Sequence, residues 1–402
     1  MTDAARPDVI DTLVPLAPGS ALHALRGQRD KVRAATQGSD EAIFDPALPG
    51  LSVGERLRAA QLVAELSGSA VLAAHYAARA AHAENADNAA HVAQEVAPES
   101  GPRMQAILTF ARLLAVRPVE GDRAALLALP AAGLATPDVV TLAQLIAFVA
   151  YQLRVVAGLQ ALHQAEVGEP RAAALDASPA ASAVSAASAA SAAPDSAAPS
   201  AAFVHPAHLP APGEPLELNG YTSRTLGWKA WLPLQDLATA TPEQMEILRS
   251  SHPKATSSDY YLTLIQQPRI LQERSMVFNA IMYAPGGLSR AERELASTVV
   301  SRVNGCVYCA SVHAQRFEQL ARRQDVLAQV FAEPEGAGTN ARERAIVQAA
   351  IDLTREPAHF DASRLRALRE AGLTSLEVLD LIHAIAIFAW ANRLMLNLGE
   401  PV

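Results

Sequence analysis

"LSRAERELASTVVSRVNGCVYCASVHAQR", residues 288–316, is the stretch on which the reading of this chain turns. Ser289 followed by Glu292 has the spacing of a capping box, in which a hydroxyl and a carboxylate tie down the unpaired amides of a helix start. Leu295, Val299, Val300 and Val303 then recur at helical period. Asn304-Gly305 is a helix-stop and turn signal, so a second helix is expected to begin near Cys306. At about 100° per residue, Cys306, Cys309 and His313 would share a stripe roughly 60° wide on that helix.

The same pattern occurs earlier in weaker form. "LSVGERLRAAQLVAELSGSAVLAAHYAAR" (51–79) matches 288–316 at ten of 29 columns without a gap. Residues 103–159 match 342–398 at twenty of 57, including Pro118 with Pro357 and the "AGL" of 132–134 with that of 371–373. Alanine richness inflates such counts, but aligned Pro, Gly, Arg and Asp do not come from it. The chain therefore reads as an internal duplication. The division expected is a first copy at 1–165, a linker at 166–214 and a second copy at 215–402. The linker contains "AAALDASPAASAVSAASAASAAPDSAAPSAA", which lacks the apolar bulk to offset its ordering entropy and is expected to be mobile.

Each copy reads as helices. A helix is expected near 341–355, and Thr374 is expected to cap "SLEVLDLIHAIAIFAWANRLM". No alternating strand pattern of useful length appears, and an alanine-dominated composition with only 5% aromatics suits packed helices. The fold class expected is all-α, twice over. A net charge of −8 without a Lys/Arg run argues against nucleic acid or an anionic membrane as partner. "MTDAARPDVIDTL" does not read as a secretory signal. The tract "VVTLAQLIAFVAY" reaches Gln152 and Arg154 too soon to span a bilayer and reads as a buried helix. Two cysteines make no disulfide framework, so a reducing compartment, the cytoplasm, is the expected setting.

Both cysteines lie in one helical turn, and three readings of them stand open. A thiol at a helix start feels the positive end of the dipole, which lowers its pKa, and His313 one turn beyond Cys309 can accept a proton. These are the parts of a redox dithiol. The pair could instead ligate zinc with His313 and a carboxylate, although structural zinc sites usually draw on two separated pairs. It could also be inert core. Glu292 reads as a cap, and Glu294 as either a surface glutamate or a member of the site. His383 reads as a satisfied buried histidine, and Tyr308 as packing. Asn392 and Arg393 read either as braces of the site helix or as an exposed polar face.

The pattern Glu294, eleven residues, Cys306-x-x-Cys309-x-x-x-His313, inside "LSxxEREL…NGCxYCxxxH", resembles the AhpD-type alkylhydroperoxidases of the carboxymuconolactone decarboxylase superfamily. "AWANRLMLNLG" (389–399) is similar to the closing helix of the peroxidase-related branch. The resemblance implies a catalytic set of Glu294, Cys306, Cys309 and His313 and no cofactor or metal. It implies Cys309 as the thiol that attacks a hydroperoxide, Cys306 as the one that closes the disulfide, and Glu294 with His313 as proton relay. It further implies a dithiol or lipoylated-protein reductant and a homo-oligomeric assembly. Some members carry a histidine where this chain has Tyr308, which shortens the relay. In the first copy Leu57, Ser69, Leu72 and Tyr76 replace the four site residues, so that copy is expected to be a structural partner without chemistry. Two rivals are a decarboxylase or lactone-processing enzyme of the same superfamily, which needs no thiol, and a non-enzymatic redox-responsive protein.

Overall fold

The structure is a computed structural model that describes residues 8–90, 101–168, 209–211 and 213–402. The N-terminal half contains α1 (Val9–Leu13), α2 (Ala21–Gly27), α3 (Asp30–Ile43), α4 (Val53–Leu66), α5 (Ala70–Ala90), α6 (Pro102–Val116), α7 (Arg123–Ala131) and α8 (Thr136–Gly168). The C-terminal half begins with three short strands, β1 (Glu217–Leu218), β2 (Tyr221–Thr222) and β3 (Trp228–Ala230). Its helices α9 (Pro242–Ser251), α10 (Asp259–Leu264), α11 (Pro268–Met282), α12 (Arg290–Val303) and α13 (Val307–Ala321) follow. Then come α14 (Asp325–Ala332), α15 (Ala341–Arg355), α16 (Arg366–Glu370) and α17 (Ser375–Asn397), and the chain closes with β4 (Gly399–Pro401). β1 pairs with β2 and β3 with β4, both antiparallel. The second pairing straps the end of α17 to the entry of the C-terminal half. The fold is all-α in class, with these strands as clips.

Local chemistry sets the helix starts. Capping boxes form at Ser52 with Glu55, Ser289 with Glu292 and Thr374 with Glu377, each satisfying amides that would otherwise lack partners. Arg342 ties Glu292 and Glu377 together, each at 2.5 Å, so two of these caps lock α15 to α12 and α17. α4 and α12, α6 and α15, and α8 and α17 occupy corresponding places, and the 3-10 turn at Pro118–Glu120 answers the one at Pro357–His359.

The halves share one core. α8 lies along α17, and α3 lies along α11. Tyr151 and Trp390, which align in the ungapped match of 103–159 with 342–398, face each other with ring centroids 5.7 Å apart. Arg154 donates to the Thr354 carbonyl across the interface at 2.6 Å, and its counterpart Arg393 donates to Leu114 and Ala115 carbonyls at 2.9 and 3.1 Å. A surface that contacts its own equivalent in this way is isologous, the geometry of a two-fold pair. Trp390 Nε1 donates to Gln144 at 2.8 Å, and Arg29 grips Asp380 with two bonds of 2.6 and 2.7 Å.

One expectation changes. Gln152 and Arg154 do not end the apolar tract. They are buried inside α8, which by length and hydropathy would suffice to cross a bilayer, as would α17, yet both helices are buried within the fold. Most of the expected linker, 169–208, lies outside the described residues. Its two ends are ordered by neighbours: 166–168 continue α8, and the Glu214 carbonyl accepts from Gln324 at 2.7 Å.

Candidate active site

α12 stops at Asn304, and the chain turns through Gly305 at φ +74° before Cys306 caps α13. Glycine is required there twice over. L-residues avoid that φ, and a Cβ would stand 2.6 Å from Val119 Cγ2, which the N-terminal half presses onto the turn. The Cys306 amide donates to the Ser301 carbonyl at 2.8 Å, which fixes the first turn of α13 against α12. Both cysteines are free and buried, Cys306 at 1% and Cys309 at 4% exposure, and the two thiols are close enough to perturb each other's ionisation. His313, one turn beyond Cys309, is also buried.

Glu294 is fully buried, at 0% exposure, which overturns the surface reading. His313 Nδ1 donates to its Oε2 at 2.5 Å, while Arg290 Nε donates to its Oε1 at 2.6 Å. Burial alone would raise the Glu294 pKa, but His313 and Arg290 outweigh it and the carboxyl is held below its ordinary 4.5. A carboxylate anchored at both oxygens fixes the imidazole tautomer, leaving His313 Nε2 as the nitrogen that accepts a proton. The Phe388 ring stands edge-on to His313 with centroids 4.3 Å apart and holds the ring plane.

The Cys306 thiol does not behave as the helix dipole alone predicts. Burial first, and then the hydrogen bond with Cys309, push the Cys306 thiol well above its ordinary 9.0, with Asn392 pulling back in part. At neutral pH Cys306 is a thiol, and the dipole at a cap is the weaker effect once the group is sealed from water. Burial and the neighbouring Cys309 likewise push Tyr308 up to about 12, which removes it as a proton carrier. Among the described residues no group of three or more His, Cys, Asp or Glu is placed to hold a metal ion.

Asn392 is buried and joins the site. Asn304 donates to its Oδ1 at 2.9 Å, and its own Nδ2 donates to Ser301 at 3.1 Å. Arg393 is buried too but serves the interface with the N-terminal half, so the exposed-face reading fails for both. His383 is buried, and among the described residues its Nδ1 lacks a partner, which departs from the expected satisfied histidine. Arg290, Ser301 and Asn304 escaped the sequence reading. Arg290 had a signal, since it stands four residues before Glu294 at the spacing of a helical ion pair.

The corresponding place in the N-terminal half holds Leu57 and Leu72, both buried, and Tyr76, whose hydroxyl donates to Gln152 at 2.5 Å. Burial pushes that phenol well above its ordinary 10, so neither a thiol nor a base stands there.

Residues 271–352 match the carboxymuconolactone decarboxylase family. Among solved structures, the chain is similar to an AhpD-core, uncharacterized peroxidase-related protein from Ralstonia eutropha JMP134. The two are 26% identical over 40% of this chain and 86% of that one, with a TM-score of 0.37. It is also similar to an uncharacterized peroxidase-related protein from Silicibacter sp. TM1040, at 22% identity over 42% of this chain and 91% of that one, with a TM-score of 0.35. No curated protein matches.

Proposed function

We propose that this chain, a member of the AhpD and carboxymuconolactone decarboxylase superfamily through its C-terminal half, is a thiol-dependent hydroperoxide reductase. The observation that carries the reading is the buried Glu294–His313 pair, in which α12 supplies the carboxylate and α13, whose start also carries two free, buried thiols, supplies the histidine. Charged groups buried beside potential nucleophiles cluster at sites where protons move, and a carboxylate-held imidazole near two thiols has the parts of such a site.

In this reading His313 Nε2 takes the Cys309 proton while Glu294 stabilises the imidazolium. The Cys309 thiolate attacks the terminal peroxide oxygen. The O–O bond breaks, Cys309 becomes a sulfenic acid, and the leaving alkoxide takes the proton from His313 as an alcohol. Cys306 then attacks the Cys309 sulfur, a disulfide forms and water departs. Both electrons come from the thiols. A high thiol pKa suits Cys306 as the second to react, because it does not compete for the peroxide. A dithiol, free or on a lipoylated protein, returns the pair to thiols in the cytoplasm. The N-terminal half arises by duplication and fills the place of a partner subunit, with one site per chain.

The test is consumption of tert-butyl hydroperoxide with dithiothreitol as reductant. Turnover that disappears in Cys309→Ser upholds the reading; a chain without turnover leaves the non-thiol and non-enzymatic rivals.

A further inference from the structure

Arg274 on α11 is 4% exposed and makes no ion pair among the described residues, and its Nε has no hydrogen-bond partner. Its guanidinium lies between two rings, 5.4 Å from the centroid of Tyr260 and 5.2 Å from that of Phe278. Tyr260 is 8% exposed and its hydroxyl also lacks a partner. The Arg274 Nε and the Tyr260 hydroxyl are therefore two buried donors without a partner among the described residues, on side chains that pack against each other, while the guanidinium also interacts with the neighbouring Tyr261.

Their position ties them to the thiols. Tyr260 lies within electrostatic reach of Cys309 and Tyr308. Phe278 packs on Phe388 at 6.2 Å, and Phe388 is the ring that stands against His313. Tyr261 and Phe278, both half-buried, lie against this pair, Tyr261 edge-on to Tyr260 with ring centroids 5.4 Å apart and Phe278 against the guanidinium.

A guanidinium without a counter-ion and a phenol without an acceptor each carry a desolvation cost, of which aromatic faces recover only part. A carboxylate satisfies both at once, since the arginine fork and a hydroxyl are its natural donors. We propose that Arg274 and the Tyr260 hydroxyl receive the carboxylate of the substrate, so that the compound reduced at Cys309 is the hydroperoxide of a carboxylic acid with an apolar body. This rests on the hydroperoxide-reductase reading. The electron flow is the one given above, ending in a hydroxy acid, and the carboxylate is unchanged by it.

The experiment compares a hydroperoxy fatty acid with its methyl ester on the full chain, with dithiothreitol fixed as the neutral reductant. The acid should have a kcat/KM about 10- to 100-fold above the ester, the value of a charge-assisted hydrogen bond. Arg274→Met should bring that ratio toward one through the KM of the acid, and Arg274→Lys should keep part of it. If Arg274→Met does not fold, Tyr260→Phe, which removes only the orphaned hydroxyl, should lower the ratio several-fold. Equal rates for acid and ester in the unaltered chain overturn the proposal while leaving the peroxidase reading intact. If neither compound is consumed, the peroxidase reading falls and binding decides. Decanoate that raises the melting temperature of the unaltered chain but not of Arg274→Met upholds the carboxylate site, and no shift in either overturns it.

Discussion

His313 Nδ1 and Glu294 Oε2 stand 2.5 Å apart, with the other carboxylate oxygen held by Arg290. The pair fixes which nitrogen can act as base, so its loss should be felt in rate more than in fold. Glu294→Gln keeps the shape and removes the charge, and general-base assistance is typically worth about 10²–10⁴-fold. We expect a loss toward the lower end in peroxide consumption. Because the Glu294 carboxyl titrates below its ordinary 4.5, it stays ionised through the neutral range, and its contribution is lost only at more acidic pH. An unchanged rate in the variant between pH 6 and 8 would remove Glu294 from the relay.

The thiols make a sharper demand. Titratable thiols should fall from two to zero after mild peroxide, since the two free cysteines stand three residues apart at the start of one helix. Cys309→Ser should abolish consumption, whereas Cys306→Ser should turn over once and stall as a sulfenic acid that dimedone traps. Alkylation of Cys306 in the folded chain should stay slow until the pH exceeds the ordinary thiol range, because burial raises that group. Fast labelling of Cys306 at pH 7 would contradict the assigned order of reaction.

How much of this was legible in the sequence depends on what each feature needs. Caps need only spacing, so Ser289–Glu292 and Thr374–Glu377 could be read directly, as could the stop at Asn304-Gly305. The face shared by Cys306, Cys309 and His313 follows from the helical repeat. The high pKa of Cys306 was not legible, because it depends on how completely α17 and the N-terminal half close over the turn. Arg274 gave no signal for a related reason. An arginine in a helix reads as a solvated face until the surrounding rings are known to enclose it. The same holds for Asn392 and His383, polar residues in a helix whose whole circumference is buried.

His383 should contribute to the acid-side loss of stability. Burial, opposed only by Asp380 and reinforced by Arg26, Arg29 and Arg293, holds its imidazole at about 4 against an ordinary 6.5. The unfolded chain therefore takes up a proton that the folded chain refuses. This contribution is full above pH 6.5, declines as the pH falls toward 4 and levels off below, amounting to about 3 kcal/mol at most. His383→Phe also removes the orphaned Nδ1 and should flatten the decline. Urea midpoints at pH 7 and pH 4.5 that drop in parallel for both proteins would contradict this.

The last prediction concerns the two halves. α17 is buried on all sides, and much of that burial comes from α8 of the N-terminal half, with Trp390 bonded to Gln144 and Arg393 to the Leu114 and Ala115 carbonyls. Residues 215–402 expressed alone would expose Trp390 and leave the Arg393 guanidinium without its partners across the interface. Apolar surface of that extent, uncovered, drives association or aggregation. Because the interface is isologous, the fragment has a specific remedy. A second copy can place its own α17 where α8 lay, with Trp390 facing Trp390 and Arg393 reaching the Thr354 carbonyl in place of Ala115. Sedimentation of the fragment should therefore give dimers or aggregates, and the dimer should carry two reactive thiol pairs instead of one. A monodisperse monomer with full peroxide turnover would show that the N-terminal half is a passenger, and that the contacts of Arg154 and Arg393 are not needed to hold the site.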